Sequence, residues 1–275
     1  MGIRLALVQP VTHRPPDDAL NVKEAVDYVE RAAANGADIV AFPESYPGPW
    51  RMPASFDAVT PMAEAAARCR VYVQFGTLEP LNAATGEAHQ LAVLAYPDGR
   101  PPGIYRRTCP PGPWLYTGGV WEFQYVAADE FPVFPTEHGT VGMGVCSEVY
   151  MPEVCRALAL RGAEIIFLPA GIAKPELWET WRTLIWARAI ENLAVVVTTQ
   201  NLFSATELGL AMVAAPGRIL MQSTASGVSY VDFDLDEVRR LRREQDGLAS
   251  RNAAKAGVLT QWQRPELRAK VFPGG

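Results

Sequence analysis

The sequence predicts a layered α/β sandwich, and three observations carry that reading. Strand-type and helix-type segments alternate through most of the 275 residues, some strands are joined by short turns, and no linker, charge block or repeat divides the chain. Alternation lays helices on sheet faces, while hairpins make the sheets mixed. One domain over residues 1–275 is expected, with a core to about residue 248 and a polar, irregular tail over 249–275.

The elements follow in order. Residues 3–9 are an apolar strand, 19–34 have helical periodicity closed near Gly36, and 37–42 form a strand of buried type. Residues 60–69 read as a helix and 71–76 as a strand. Strands 90–96 and 103–107 flank the turn Pro97-Asp98-Gly99, which predicts a hairpin. Beyond the loop Pro110-Pro111-Gly112-Pro113, strands near 131–134 and at 140–146 lead into a helix over 152–161, ended by Gly162. A strand at 164–168, a helix at 175–192 and a strand at 194–200 repeat the alternation. Strands 210–214 and 219–222 flank Pro216-Gly217, and strand 228–233 precedes the last helix.

Two strand ends carry the chemistry. Gly144-Val145-Cys146-Ser147-Glu148 delivers a thiol where a strand gives way to a helix, and backbone N–H groups and a positive helix end favour thiolate there. On position alone Cys146 equally fits a small buried hydrophobe. Asp38-Ile39-Val40-Ala41-Phe42-Pro43-Glu44 brings a carboxylate to a second strand end. The carboxyl ends of strands line the ligand crevice of an α/β sheet, so Glu44 and Cys146 can meet there and the carboxylate can take the thiol proton. Taken alone, Glu44 also fits an ordinary polar residue at a loop start.

A formal charge of −5 argues against a nucleic-acid partner. The arginine run Arg239-Arg240-Leu241-Arg242-Arg243 lies among Asp234, Asp236, Glu237 and Glu244, and is expected to be a solvated, salt-bridged helix face. Met1-Gly2-Ile3-Arg4-Leu5 enters a strand without a signal stretch, and no run is long and apolar enough to cross a bilayer. Cys69, Cys109, Cys146 and Cys155 have neither zinc-site spacing nor the density of a disulfide framework. The expectation is a cytoplasmic protein with reduced thiols and no membrane partner. His13, His89 and His138 are scattered, so no metal is expected, and no phosphate loop suggests a cofactor.

Four motifs in order resemble the nitrilase, or carbon-nitrogen hydrolase, superfamily: Phe42-Pro43-Glu44; Tyr105-Arg106-Arg107; Gly144-Val145-Cys146 with Tyr150-Met151-Pro152-Glu153; and Trp186-Ala187-Arg188-Ala189-Ile190-Glu191-Asn192. The resemblance runs from the first strand to about Arg243 and implies a four-layer α-β-β-α sandwich. It also implies a Glu-Lys-Cys triad that hydrolyses non-peptide C–N bonds. Carried over, Cys146 is the nucleophile and Glu44 the general base, through a thioester in the case of an amide. Arg107 stands where the family has lysine, and Lys23, Lys174, Lys255 and Lys270 offer no neighbouring substitute. Arginine keeps the charge and can bind an oxyanion but cannot release a proton; if it substitutes for lysine by charge alone, Arg107→Lys is expected to retain or raise turnover.

The resemblance further implies a supporting glutamate, for which Glu122 is the first candidate and Glu130 the second, and an oxyanion donor such as the N–H of Ser147. Tyr46, Trp50, Trp114, Tyr116 and Trp121 lie on loops around the implied pocket mouth, with Lys174 at its rim. Cys109 shares that neighbourhood but has no helix N-terminus to activate it. The helices after Cys146 and over 175–192 pair across a dimer interface in the resembled family, so a homodimer is expected. Three functional readings follow. The first is hydrolysis of a small amide, favoured over nitriles because Ser147 replaces the tryptophan of typical nitrilases. The second is nitrile processing or acyl transfer on the same fold. The third is a binding protein that kept the fold and lost the triad. An Arg107 turned inward beside Cys146 and Glu44 separates the working site from the degenerate one.

Overall fold

The computed structural model describes residues 2–110, 122–172 and 174–243, with 259, 264 and 266. The first half runs β1 (Ile3–Gln9), α1 (Leu20–Ala34), β2 (Ile39–Ala41), α2 (Val59–Cys69), β3 (Tyr72–Asn82), β4 (Glu87–Ala95) and β5 (Gly103–Arg106). The middle comprises β6 (Gln124–Tyr125), β7 (Val133–Thr136), β8 (Gly139–Met143), a 3-10 turn (Cys146–Tyr150), α3 (Pro152–Leu160), β9 (Ile165–Phe167) and β10 (Ala170–Ile172). A second 3-10 turn (Pro175–Leu177) then leads into α4 (Trp178–Asn192) and β11 (Val195–Thr198). The remainder is β12 (Gln200–Asn201), β13 (Ala211–Ala215), β14 (Arg218–Ser223), β15 (Gly227–Phe233) and α5 (Asp236–Arg243).

Two mixed sheets and a two-stranded parallel pair, β10-β12, result. The first has the order β15-β1-β2-β3-β4-β5, with β6 beside β4; the second has β14-β13-β11-β9-β8-β7. Leu5, Leu7, Tyr72 and Leu94 of the first sheet pack against Val141, Ile165, Phe167 and Val213 of the second, all buried. On the outer face of the first sheet, Ala25, Val29 and Ala32 of α1 and Met62, Ala65 and Ala66 of α2 close a second apolar layer. Their spacing of three and four residues is why these segments are helices with one buried stripe. Val154 and Leu158 of α3 with Trp181, Ile185 and Ala189 of α4 do the same for the second sheet. The architecture is the α-β-β-α sandwich.

Local differences from the sequence expectation have physical reasons. β3 runs on through Glu79 to Asn82 because it pairs with β4 across a hairpin, from Val73↔Ala95 to Asn82↔Glu87. Its tail is half-exposed, so the apolar pattern faded before the strand did. The helix expected over 175–192 opens with a 3-10 turn, and Pro175 stands at its first position. The arginines of α5 are not only a solvated face: Arg239 binds Glu164 at 2.8 Å, and Arg242 donates to the carbonyls of Ala163 at 2.6 Å and Leu193 at 2.8 Å. They tie α5 to the chain just beyond α3 and α4.

The pairing directions position the site. β2 is parallel to β3, and β5 becomes parallel to both by two antiparallel steps through β4. β8 is parallel to β9. Glu44, Arg107 and Cys146 therefore all leave the carboxyl ends of their strands, where crevices form in such sheets.

Candidate active site

Glu44 sits one turn past β2 with its backbone fixed twice, its N–H donating to Ala170 O at 3.3 Å and its carbonyl accepting from Asn201 Nδ2 at 2.9 Å. The chain reverses at Ser45, whose φ is +51°. That corner lies hard on β3 at Gly76, where a Cβ would come within 2.3 Å of Ser45 N. Only glycine permits the approach.

Arg107 continues from β5, its N–H donating to Gln90 O at 2.9 Å. Its guanidinium turns inward. Nη1 donates to Glu44 Oε1 at 3.1 Å and Gln90 Oε1 at 2.7 Å, Nη2 to Ser147 Oγ at 2.6 Å, and Nε to the Cys109 carbonyl at 3.2 Å. The Arg107 and Glu44 side chains are 1% and 2% exposed. Such a pair is held by its hydrogen bonds as much as by its charges, because burial removes the solvation of both.

Cys146 begins the 3-10 turn with φ +50°, and its N–H is bound by Pro169 O at 2.8 Å. Left-handed backbone at a non-glycine residue costs on the order of 1–3 kcal/mol and persists only where the surroundings impose it. The Cys146 thiol lies beside the Glu44 carboxyl group and the Gly171 N–H, close enough for both to bear on its titration. Loss of solvation first, and the Glu44 charge second, push this thiol well above its ordinary pKa, with Arg107 pulling it back. The expected thiolate-favouring helix end is a five-residue 3-10 turn, with α3 starting only at Pro152, and it is outweighed by burial. Burial likewise raises the Glu44 carboxyl, while Arg107, the thiol and Gln90 lower it. The thiol, held neutral, therefore rests beside a carboxyl group paired with Arg107 at 3.1 Å.

Glu148 is the residue that locks the turn. Its Oε1 accepts from the N–H groups of Thr108 and Cys109, both at 2.9 Å, and from Thr108 Oγ1 at 2.8 Å; its Oε2 accepts from Val145 N at 2.7 Å. The Tyr105 hydroxyl reaches both oxygens. The carboxylate thus staples the chain after Arg107 to the chain around Cys146.

The structure brings Glu44, Arg107, Cys146 and Ser147 together. It sets other expected site residues elsewhere. Glu122 is half-exposed and pairs with Arg51 at 3.4 Å, its backbone bonded to Trp50 and Met52. Tyr46 is fully buried in the outer layer, stacked on Phe42 at 5.5 Å, because the reversal at Ser45 turns it toward α1. Trp50 is buried too, donating to Ser45 O and packed edge-on against Phe203 at 5.7 Å, so it backs the Glu44 corner instead of opening a mouth. Lys174 is exposed at the turn after β10. Trp114, Tyr116 and Trp121 lie outside the described residues. Gln90 and Glu148 were missed; their signal was a polar side chain inside an apolar strand and an acid two residues after the thiol.

Residues 4–243 match the carbon-nitrogen hydrolase family. The chain is 26% identical over 271 residues to a deaminated glutathione amidase of Synechocystis, covering 90% of this chain and 97% of the relative. It is 25% identical over 266 residues to an omega-amidase of Homo sapiens, covering 88% and 92%. An amidase from Nesterenkonia sp. superposes with a TM-score of 0.74 at 21% identity, covering 98% of this chain and 96% of that one. A mutant of the Nesterenkonia amidase, at TM-score 0.77 and 23% identity, covers 98% and 97% and carries the acetamide moiety of fluoroacetamide on its active-site cysteine.

Proposed function

The chain belongs to the carbon-nitrogen hydrolase family, and from that premise we propose that it hydrolyses a small amide through a thioester on Cys146. The observation that carries this reading is the placement of the half-buried Cys146 beside the buried Glu44, itself ion-paired to Arg107 at 3.1 Å. As sulfur attacks the amide carbon, the thiol proton passes to the Glu44 carboxylate, and the carbonyl oxygen takes up negative charge. The N–H of Ser147 and the charge of Arg107 are at hand to meet it. The proton then goes to the leaving nitrogen, the C–N bond breaks, and ammonia or an amine departs. Glu44 next takes a proton from water, hydroxide adds to the thioester carbon, and collapse returns the proton to sulfur and releases the acid.

The inward Arg107, hydrogen-bonded to Glu44, Gln90, Ser147 and the Cys109 carbonyl, favours a working site over a binding protein that has lost its chemistry. Relatives named as amidases favour amides over nitriles. The molecule is further proposed to act as a homodimer through the face of α3 and α4, where Tyr150, Met151, Leu160 and Ile190 are exposed. The test is ammonia release from a panel of small primary amides by wild type and Glu44→Gln. A folded Glu44→Gln protein should lose about a hundredfold or more in turnover, the usual scale of a general base. Near-unchanged turnover removes Glu44 from the mechanism.

A further inference from the structure

We propose that Gln90 is a positioning residue of this reaction, its side-chain amide bridging Arg107 and Glu44 so that one carboxylate oxygen is occupied and the other is presented to the Cys146 thiol. The inference rests on the hydrolase reading and deepens it. Gln90 stands in the apolar run of β4 and is 1% exposed. A buried amide in such a strand is costly unless every polar group is met. Here they are met in one way only. Gln90 Oε1 accepts from Arg107 Nη1 at 2.7 Å, while Nε2 donates to Glu44 Oε1 at 2.7 Å and to Ser45 Oγ at 2.9 Å.

The orientation of the amide is forced by its neighbours. A guanidinium only donates and an ionised carboxylate only accepts, so turning the amide over would set donor against donor and acceptor against acceptor. Glu44 Oε1 receives two donors, one from Arg107 and one from Gln90. That leaves Oε2, the oxygen to which this assignment gives the proton from sulfur. Arg107 alone would hold the carboxylate by a single bond and leave it free to rotate. Gln90 converts that contact into a closed triangle of Arg107, Glu44 and Gln90, and its second N–H anchors the triangle to the strained Ser45 corner. Because Gln90 O also binds the Arg107 N–H at 2.9 Å, backbone and side chain fix the same two partners.

The experiment measures the pH dependence of Cys146 alkylation by iodoacetamide, by intact mass, alongside amide turnover, in wild type, Gln90→Met and Gln90→Glu. Gln90→Met keeps the length but has no donor. It should lower kcat by roughly tenfold to a hundredfold, the scale of a misplaced catalytic group, with KM changed far less. Losing a donor to the ionised carboxylate raises its pKa, so the acid limb of both alkylation and turnover should move to higher pH. Gln90→Glu sets a second carboxylate in the cage and should move the limb further the same way; it carries the test alone if Gln90→Met does not fold. A merely structural role would lower stability and leave the limb in place. A wild-type limb and kcat in either folded variant overturns the role of Gln90. A wild-type Cys146 inert at every pH overturns the hydrolase reading, and this inference with it.

Discussion

Arg107 turns its guanidinium to four protein acceptors: Glu44, Gln90, Ser147 and the Cys109 carbonyl. That fan depends on a planar fork with several fixed N–H directions, which an ammonium on a flexible stem does not offer. A charge-only substitute for lysine would tolerate lysine at 107; the cage around this residue leads to the opposite prediction. Arg107→Lys leaves buried acceptors short of donors, each costing about 1–3 kcal/mol, and should reduce turnover by roughly tenfold or more. Arg107→Ala should abolish it. Steady-state ammonia release checks both, and an Arg107→Lys protein as fast as wild type would return the residue to a charge-only role. Glu44 and Cys146 could be singled out because a carboxylate and a thiol at strand ends are recognisable by type, and Arg107 because a family motif ends on it. Gln90 could not, since one polar residue in a strand reads as its solvent side, and Tyr46 was misplaced because an aromatic on a loop does not reveal which way the loop turns.

At the scale of elements, the site is an agreement among strand ends enforced by one carboxylate. Glu148 joins the chain after β5 to the turn after β8, with backbone N–H groups on both of its oxygens. Glu148→Gln keeps the shape but must aim an NH2 at one of those donors. An unsatisfied buried group of this kind costs about 1–3 kcal/mol. The denaturation midpoint should fall accordingly, and turnover should fall with it as the Cys146 turn loosens. Unchanged stability and rate would show that the staple is not needed. The succession of strands and helices was legible from periodicity, because most buried stripes follow the spacing of one element. The β3–β4 hairpin beyond Gly76 was not, since pairing, not burial, holds its tail. The capping of carbonyls by Arg242 was hidden for a similar reason: an arginine among acids looks solvated until the ends of α3 and α4 are seen beside it.

At the scale of the molecule, two sheets face each other and the two helix layers differ. α1 and α2 cover the first sheet, while Tyr150, which packs edge-on against Trp181, Met151, Leu160 and Ile190 are exposed in or next to α3 and α4. Pairing that face would remove apolar surface from water at roughly 25 cal/mol per Å². Light scattering should give about twice the chain mass of 30.0 kDa at micromolar concentration. A monomer mass over that range would contradict the dimer. The central claim is the covalent step itself, and the most direct measurement is intact-mass analysis of the protein quenched during turnover of a small primary amide, followed by peptide mapping. The account predicts one acyl group, added with loss of ammonia, on Cys146 and absent from Cys146→Ala. Acyl transfer mapped to Cys109, or amide hydrolysis that persists in Cys146→Ala, would contradict it.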